Sequence, residues 1–168
     1  TGLFFDSTFG GRWPATMKRT GFDTLCIDGA ASAPSYVCVG EHGAEVKSAV
    51  SLWGATTRDT VQALLEVEGA DADVIAIGPA GEKRVRFACM THYWKNREAV
   101  AGRGGIAAVM GAKNLKAVVV KGARKTEVAD PARLKALVDE TREPLKTGTK
   151  ALSVFGTPGS EGVWAWRF

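Results

Sequence analysis

Short apolar runs separated by glycine-containing turns fill the chain as far as Val120, and they constrain its fold more than any other feature. The runs at residues 35–39 and 44–47 flank the turn Gly40-Glu41-His42-Gly43, which is typical of a β-hairpin. Further runs have the continuous or alternating apolar pattern of strands. They lie at residues 24–27, 73–77, 84–89 and 115–120. The first part of the chain is therefore expected to be built on β-sheet.

Helical patterns interrupt this sheet-forming region once and then follow it. Thr57 can cap a helix that runs to about residue 68, and Gly69 is expected to end it. Asp130 followed by Pro131 is a strong helix start, and that helix is expected to reach about residue 142. Strands with one intervening helix, followed by helix, predict an α+β domain and then a helical region.

Composition and charge exclude some classes of protein. The chain has 168 residues, 45% of them hydrophobic, and a net charge of +4 from scattered lysines and arginines. This is the composition of a globular protein with a sizeable core, and scattered charge does not favour nucleic-acid binding. No apolar run reaches the roughly 18 residues that a membrane-spanning helix needs.

Three cysteines, Cys26, Cys38 and Cys89, lie far apart in the sequence. An odd, dispersed set argues against disulfide bonds and for a reducing, cytoplasmic location. Each lies in an apolar run, so we expect all three to be buried. Because no Cys-x-x-Cys motif is present, the chain lacks the sequence signature of an iron–sulfur or zinc site.

Both ends of the chain carry apolar residues that need a covering surface. The chain begins inside the apolar run Leu3-Phe4-Phe5 and ends on a segment that includes Trp164 and Trp166. Large apolar side chains at an open end predict a partner surface. We therefore expect a piece of a longer chain, in which the first part of one domain is missing and a second, helical domain is truncated.

A glycine-rich segment, residues 101–116, is the strongest candidate for a binding site. Glycines let a backbone approach a ligand closely, and Arg103 among them offers paired donors that suit phosphate. Residues 102–107 mimic the dinucleotide fingerprint, but residues 95–99 before them are polar rather than strand-like, and Gly111 should end any helix early. The segment is thus predicted to be an anion cradle, or simply a glycine-rich turn before a buried strand.

Four motifs occur in order along nearly the whole chain. They are Thr1-Gly2 with Gly10-Gly11 and Lys18-x-x-Gly21-Phe22-Asp23; Leu52-Trp53-Gly54; residues 77–82 with 85–88; and residues 102–116. The third and fourth motifs are long and specific. In this order they resemble the N-terminal domain of the tungsten-containing aldehyde:ferredoxin oxidoreductase family.

The resemblance implies antiparallel β-sheets that enclose a cofactor in residues 1–128, followed by the start of a helical domain in residues 129–168. The cofactor is a tungstopterin, in which two pyranopterins chelate one tungsten or molybdenum and Mg²⁺ bridges the pterin phosphates. Phosphate dianions need paired donors and close backbone approach. The positions that match the family's cofactor loops are Thr8, Phe9, Gly10, Gly11, Arg97, Glu98, Gly102, Arg103 and Gly104.

No catalytic residue is assigned on this chain. The family's [4Fe–4S] cluster needs a group of cysteines, which is expected on the missing part of the polypeptide. Plain alternatives stay open for some of the motif residues. Gly10 and Gly11 can be merely a turn, and Lys113 and Lys116 are expected to be solvated charges that flank a strand.

The family's activity is the oxidation of aldehydes to carboxylic acids with ferredoxin, or another electron-transfer subunit, as acceptor. We expect a cytoplasmic homo- or hetero-oligomer without nucleic acid. Residues 91–96, Thr-His-Tyr-Trp-Lys-Asn, are more aromatic than in typical aldehyde enzymes and favour, as an alternative, the catalytic subunit of class II benzoyl-CoA reductases. His92 among them is expected to be a core or surface histidine, or else to line a substrate channel. A further alternative is a non-catalytic binding module.

Overall fold

The computed structural model describes residues 4–95 and 97–156. The chain divides into two compact units, Thr1–Thr126 and Glu127–Phe168. Some sequence predictions concern residues outside the described part of the chain. These are Thr1, Gly2, Leu3, Asn96, Trp164 and Trp166.

A mixed six-stranded sheet forms the centre of the first unit. Its strands are β1 (Ser35–Gly40), β2 (Gly43–Ser48), β3 (Asp73–Ile77), β4 (Met90–Trp94), β5 (Arg97–Ala101) and β6 (Leu115–Val120). Their order across the sheet is β2-β1-β6-β3-β4-β5. Neighbouring strands are antiparallel except for β1 and β6, which run parallel. The two central strands, β3 and β6, are buried along their whole length.

Helices cover both faces of this sheet. They are α1 (Trp13–Arg19), α2 (Thr57–Glu68), α3 (Pro79–Glu82) and α4 (Ile106–Ala112). On one face, Val118 of β6 packs in a core with Met17 of α1 and Met110 of α4. On the other, Val119 packs with Leu64 of α2. Because side chains alternate along a strand, β6 supplies two separate cores.

The structure confirms the α+β class and most of the predicted elements. The hairpin, the strands at 73–77 and 115–120, and the helix ending at Glu68 are all present. The cap of α2 is Thr56 rather than Thr57, since the Thr56 side chain accepts the Asp59 N–H. The described strands make one mixed sheet, whereas the resemblance suggested more than one antiparallel sheet.

Two predicted strands, at 24–27 and 84–89, are wrong. Arg84 has φ +60°, so the chain turns there, and pairing begins only at Met90. Phe87 is 93% exposed, which shows that the alternating pattern of this segment belongs to a solvent-facing turn. The segment 24–27 lies against the core without joining the sheet.

The same errors make the cysteine prediction wrong in part. Cys38 lies in β1 and is buried as expected. Cys26 is exposed and Cys89 is only half-buried, because neither of their segments forms a strand.

Strands β4 and β5 were not predicted from the sequence, and the expectation of a single helix in this region is wrong because α1, α3 and α4 are also present. Strand β5 lies at the edge of the sheet. Most of its side chains face solvent, so its polar residues are tolerated there. Lys95, with φ +53°, turns the chain between β4 and β5. The glycine-rich segment therefore does follow a strand. The case against a dinucleotide site now depends on two points. Helix α4 ends at Ala112 after seven residues, and Lys121, Arg124 and Lys125 lie about 20 residues on, where the fingerprint needs an acidic residue.

The second unit begins with α5 (Pro131–Gly148), followed by α6 (Lys150–Phe155). Asp130 caps α5 by accepting the Arg133 N–H at 2.9 Å, and Pro131 occupies the first turn, as predicted. The helix continues past residue 142 despite Pro144 in its interior. Among the described residues, no helix is long and apolar enough to cross a membrane.

Candidate cofactor site

The residues predicted from the sequence to bind a cofactor lie in two loops and at one end of an edge strand. Thr8 to Gly11 belong to the segment before α1, and Gly102 to Gly104 directly follow β5. The Arg103 N–H donates to Ser7 Oγ at 3.1 Å, which holds the two loops together. Arg97 and Glu98 are the first residues of β5, so they lie at its other end from Gly102.

The first loop rests on two aromatic side chains of β4. Gly11 has φ +100°, and a Cβ atom there would lie 2.7 Å from His92 Cδ2 and 2.8 Å from Trp94 Cζ3. The two rings are stacked, with centroids 5.0 Å apart and planes 8° from parallel. Glycine is therefore required at Gly11 for both its backbone conformation and its close packing.

Gly10 and Gly102 differ from the glycines beside them because each has room for a Cβ atom. A Cβ atom at Gly10 would meet no atom within 4 Å, and one at Gly102 would come no closer than 3.8 Å to another residue. Gly104, with φ +67°, instead packs against Phe5. The structure thus shows two places, Gly10 and Gly102, where a ligand has room to approach the backbone.

Arg97 and Glu98 line a groove of about 960 Å³ between α2 and the β4–β5 hairpin. The remaining predicted residues do not line it, so the structure places the predicted set in two neighbouring regions. Basic side chains predominate among the charged residues of the groove. They are Arg12, Arg58, Lys95 and Arg97, against the acidic Glu66 and Glu98. This excess of positive charge suits an anionic ligand.

A buried ion cluster that the sequence analysis missed lies below the first loop. Arg12 Nε lies 2.9 Å from both carboxylate oxygens of Asp73, and Thr16 Oγ1 donates to Oδ2 at 2.5 Å. His92 is fully buried beside this carboxylate, so it is a core histidine. The only sequence signal was an aspartate at the start of a buried strand.

Lys116 belongs to a second ion pair, and the prediction that it is solvated is wrong. Its side chain is fully buried, donates to the Ala55 carbonyl at 2.8 Å and pairs with Glu82. Glu82 also accepts the Gly54 N–H at 2.9 Å. Lys113 is half-buried and donates to the Gly29 carbonyl at 2.8 Å. The Lys116 pair therefore joins three of the sequence motifs as structural support rather than as a ligand site.

Glycines in those motifs also serve packing. A Cβ atom at Gly111 would lie 2.0 Å from the Gly81 carbonyl oxygen, and one at Gly81 would lie 2.9 Å from Ile77 Cβ. Helices α3 and α4 touch backbone to backbone at this point. The strong sequence signature of residues 77–82 and 111–116 thus reflects the closeness of these elements.

A third cluster of charges surrounds Glu68 on the α2 face. The carboxylate accepts from Lys47 at 2.8 Å, Lys121 at 2.5 Å and the Tyr36 hydroxyl at 2.7 Å. Burial raises the pKa of Glu68, but the hydrogen bonds from Lys121, Lys47 and Tyr36 outweigh burial and lower it to about 2. Burial and the neighbouring carboxylate raise the pKa of Tyr36 to about 12.

The open loop glycines and the adjacent positive charge fit a ligand that carries phosphate. Gly10 and Gly102 allow close backbone approach, and the exposed Arg103 directly follows Gly102. Among the described residues, no group of three or more His, Cys, Asp or Glu side chains could hold a metal ion.

The first unit is thus an α+β domain that carries two glycine-containing loops and, between α2 and the β4–β5 hairpin, a groove with an excess of basic side chains. The family model for the aldehyde ferredoxin oxidoreductase N-terminal domain matches residues 1–122. The chain therefore belongs to the aldehyde ferredoxin oxidoreductase family, as its motifs indicated.

Named relatives and one solved structure agree with this assignment. The tungsten-containing aldehyde ferredoxin oxidoreductase of Pyrococcus abyssi is 40% identical over 87% of this chain and 24% of its own length. The aliphatic sulfonate oxidoreductase WOR-like subunit of Pyrococcus furiosus is 31% identical over 90% of this chain and 27% of its own. A chain of the benzoyl coenzyme A reductase active-site complex BamBC, solved with 1,5-dienoyl-CoA, is 34% identical. It superposes with a TM-score of 0.78 over 84% of this chain and 21% of that chain. The present chain spans about a quarter of the length of its relatives.

Proposed function

We propose that this chain is the cofactor-binding portion of a tungsten or molybdenum bis-pyranopterin oxidoreductase. Residues 1–128 would bind the cofactor, and residues 129–168 would begin a helical domain. The observation that carries the proposal is the pair of loops at Thr8 to Gly11 and Gly102 to Gly104. They lie together through the Arg103–Ser7 contact and leave space above Gly10 and Gly102.

The proposed reaction is the oxidation of an aldehyde to a carboxylic acid in the cytoplasm, with ferredoxin or another electron-transfer subunit as acceptor. The bound metal–pterin group would supply the oxidising centre, with Mg²⁺ at the pterin phosphates. A [4Fe–4S] cluster held elsewhere in the polypeptide would pass the electrons on. This chain's own part is to hold the pterin phosphates through loop N–H groups and nearby arginine charge.

Metal analysis of the full-length protein, purified anaerobically, tests the proposal. We expect tungsten or molybdenum together with pterin. Active protein that contains neither metal would contradict it. Aldehyde oxidation with a ferredoxin-type acceptor is then measured on the metal-containing protein.

A matched set of glycine variants tests the loop assignment separately. Gly10→Ala and Gly102→Ala should leave the fold intact, since a Cβ atom at either position has room. They should nevertheless lower the metal and pterin content, because the methyl group occupies the space assigned to the ligand. Gly40→Ala, which is equally unhindered but at the end of β1, is the control. If all three variants retain full cofactor, the loops are not the site.

A second candidate is a catalytic subunit like that of class II benzoyl-CoA reductases. The superposition on the BamBC chain and the aromatic strand β4, with Tyr93 and Trp94, favour it. Assays of the metal-containing protein with an aldehyde and with an aromatic acyl-CoA separate the two activities. A soluble monomer that binds no pterin would instead indicate a non-catalytic module.

A further inference from the structure

His92 is a buried titratable group that the proposed function leaves unused. Its side chain is fully buried in β4, and its Nδ1 atom lies 2.9 Å from the Val74 carbonyl oxygen. Because a carbonyl oxygen only accepts hydrogen bonds, Nδ1 must carry the proton of this contact. A neutral ring would then present a bare, accepting Nε2 on its other side.

Nε2 of His92 faces an acceptor rather than a donor. Within the described ranges 4–95 and 97–156, it is the single buried side-chain nitrogen or oxygen without a hydrogen-bond partner. Asp73 Oδ1 lies 3.6 Å away. Two acceptors that face each other inside a core are unfavourable. A proton on Nε2 replaces this clash with attraction between an imidazolium and a carboxylate.

The surroundings of the ring permit this charge. Asp73, from β3, is 1% exposed, so its attraction for the ring is little screened by solvent. Arg12, from the loop before α1, binds the same carboxylate, but its side chain is 42% exposed and its charge is better screened. Phe9 and Trp94, whose ring centroids lie 6.4 Å and 5.0 Å from that of the imidazole, are uncharged.

The ring also supports the first loop directly. Gly11 packs on the His92–Trp94 stack so closely that a Cβ atom would lie 2.7 Å from the imidazole. We propose that His92 carries hydrogen on both ring nitrogens, held in this form by the neighbouring Asp73 carboxylate, and is then a positioning residue for the Gly10-Gly11 turn. The link to a cofactor rests on the proposed function, whereas the protonated ring does not. The protonated ring places a positive charge under the loop that would approach a pterin phosphate.

Nuclear magnetic resonance of ¹⁵N-histidine-labelled protein tests whether Nε2 of His92 carries hydrogen. This chain has two histidines, and the exposed His42 is an internal reference. We expect both ring nitrogens of His92 to carry hydrogen at neutral pH. Asp73→Asn should return Nε2 to a bare nitrogen. A bare Nε2 in the wild-type protein at neutral pH would overturn the proposal.

Hydrogen exchange of the peptide that contains residues 8–12 tests the positioning role. An asparagine in His92→Asn can donate to the Val74 carbonyl in place of Nδ1–H, but it carries no charge toward Asp73. In the wild type, protection of this peptide, corrected for intrinsic exchange, should fall as pH rises and the ring loses its proton. His92→Asn should abolish that pH dependence, while His42→Asn should keep it.

Identical pH profiles for the wild type and His92→Asn would show that the ring only fills space. If His92→Asn does not fold, the nitrogen spectrum of the wild type still decides whether the proton is present. Neither measurement needs a bound cofactor. Absence of tungsten and molybdenum would therefore contradict the proposed function without affecting the proposal that His92 is protonated beside Asp73.

Discussion

The Lys116–Glu82 pair and the cluster of Arg12, Asp73 and His92 are both charged groups inside the same unit, yet they are satisfied to different degrees. Lys116 and Glu82 also bond the backbone around Gly54 and Ala55, so each charge has several partners. In the other cluster, His92 Nε2 has no hydrogen-bond partner and Arg12 reaches solvent. The Lys116–Glu82 pair, whose charges have complete partners, joins structural motifs. The cluster of Arg12, Asp73 and His92, which contains an unpaired atom, lies under the candidate cofactor loop.

This difference indicates where the unit is rigid and where it can respond. A buried charge whose partners are complete stabilises one arrangement, because any change leaves a group unpaired. In the cluster of Arg12, Asp73 and His92, the unpaired Nε2 atom can accept a proton without breaking an existing hydrogen bond. Experiments that remove one member of each cluster put this contrast to the test.

The largest loss of stability is expected for Lys116→Met. The change leaves Glu82, whose side chain is 5% exposed, without its counter-charge. Removing one partner of a buried ion pair costs about 3–5 kcal/mol in the free energy of unfolding. Urea denaturation measures it, with Lys113→Met as the matched control, for which we expect about 1 kcal/mol or less. Equal losses of unfolding free energy for Lys116→Met and Lys113→Met would contradict the conclusion that Lys116 and Glu82 form a fully partnered buried pair.

Asp73→Asn should have a smaller effect, because its main partner is not trapped in the core. Arg12 is 42% exposed and can be hydrated once the carboxylate is lost. The lost charge-assisted hydrogen bonds are worth about 1.5–3 kcal/mol, read from the urea midpoint. Asp71→Asn, at an exposed position next to the same strand, serves as control. A loss as large as that of Lys116→Met would remove the distinction between the two clusters.

The smallest effect is the pH dependence of the Glu68 cluster. The folded-state pKa of Glu68, about 2, is below its ordinary 4.5. Its contribution is therefore fully present above about pH 4.5 and is lost as pH falls toward 2. We expect a loss on the order of 1–2 kcal/mol over this window, reduced by the partial exposure of Lys47 and Lys121.

Glu68→Gln should flatten this acid limb, as measured by urea midpoints between pH 5 and pH 2. At alkaline pH the same cluster should instead lose stability as pH rises. The raised pKa of Tyr36 favours its neutral form, so stability should fall as pH rises from 10 toward 12. Tyr36→Phe should remove the part of the alkaline loss that comes from the hydroxyl. An acid limb that survives Glu68→Gln unchanged would assign the effect to other carboxylates.

Local patterns predicted the elements that are locally determined. The strand of residues 73–77 is a continuous apolar run between turn residues, and α5 starts at Asp130 and Pro131, where capping needs only neighbouring residues. The edge strand β5 was not predicted, and residues 84–89 were wrongly predicted to form a strand. Alternation and polarity report exposure, and exposure at these positions depends on which neighbours the sheet supplies.

The candidate site was predictable only in outline. The resemblance named Gly10, Gly11, Gly102 and Gly104 as equals, and their roles as cofactor ligands stay predictions. In the structure a Cβ atom at Gly11 or Gly104 would clash with a neighbouring side chain, while one at Gly10 or Gly102 would not. No local pattern distinguishes them, because the atoms that fill the space come from distant parts of the chain.

The sequence by itself determined the α+β class, the two central strands, the capped start of α5 at Asp130 and membership of the aldehyde ferredoxin oxidoreductase family. The tertiary structure alone decided that Lys116 is buried, that Arg12 meets Asp73 across 61 positions of sequence, and that His92 lies under Gly11. The physical reason is that the environment of a charged group is set by its spatial neighbours. Residues far apart in sequence become neighbours only when the sheet forms and the helices pack against it.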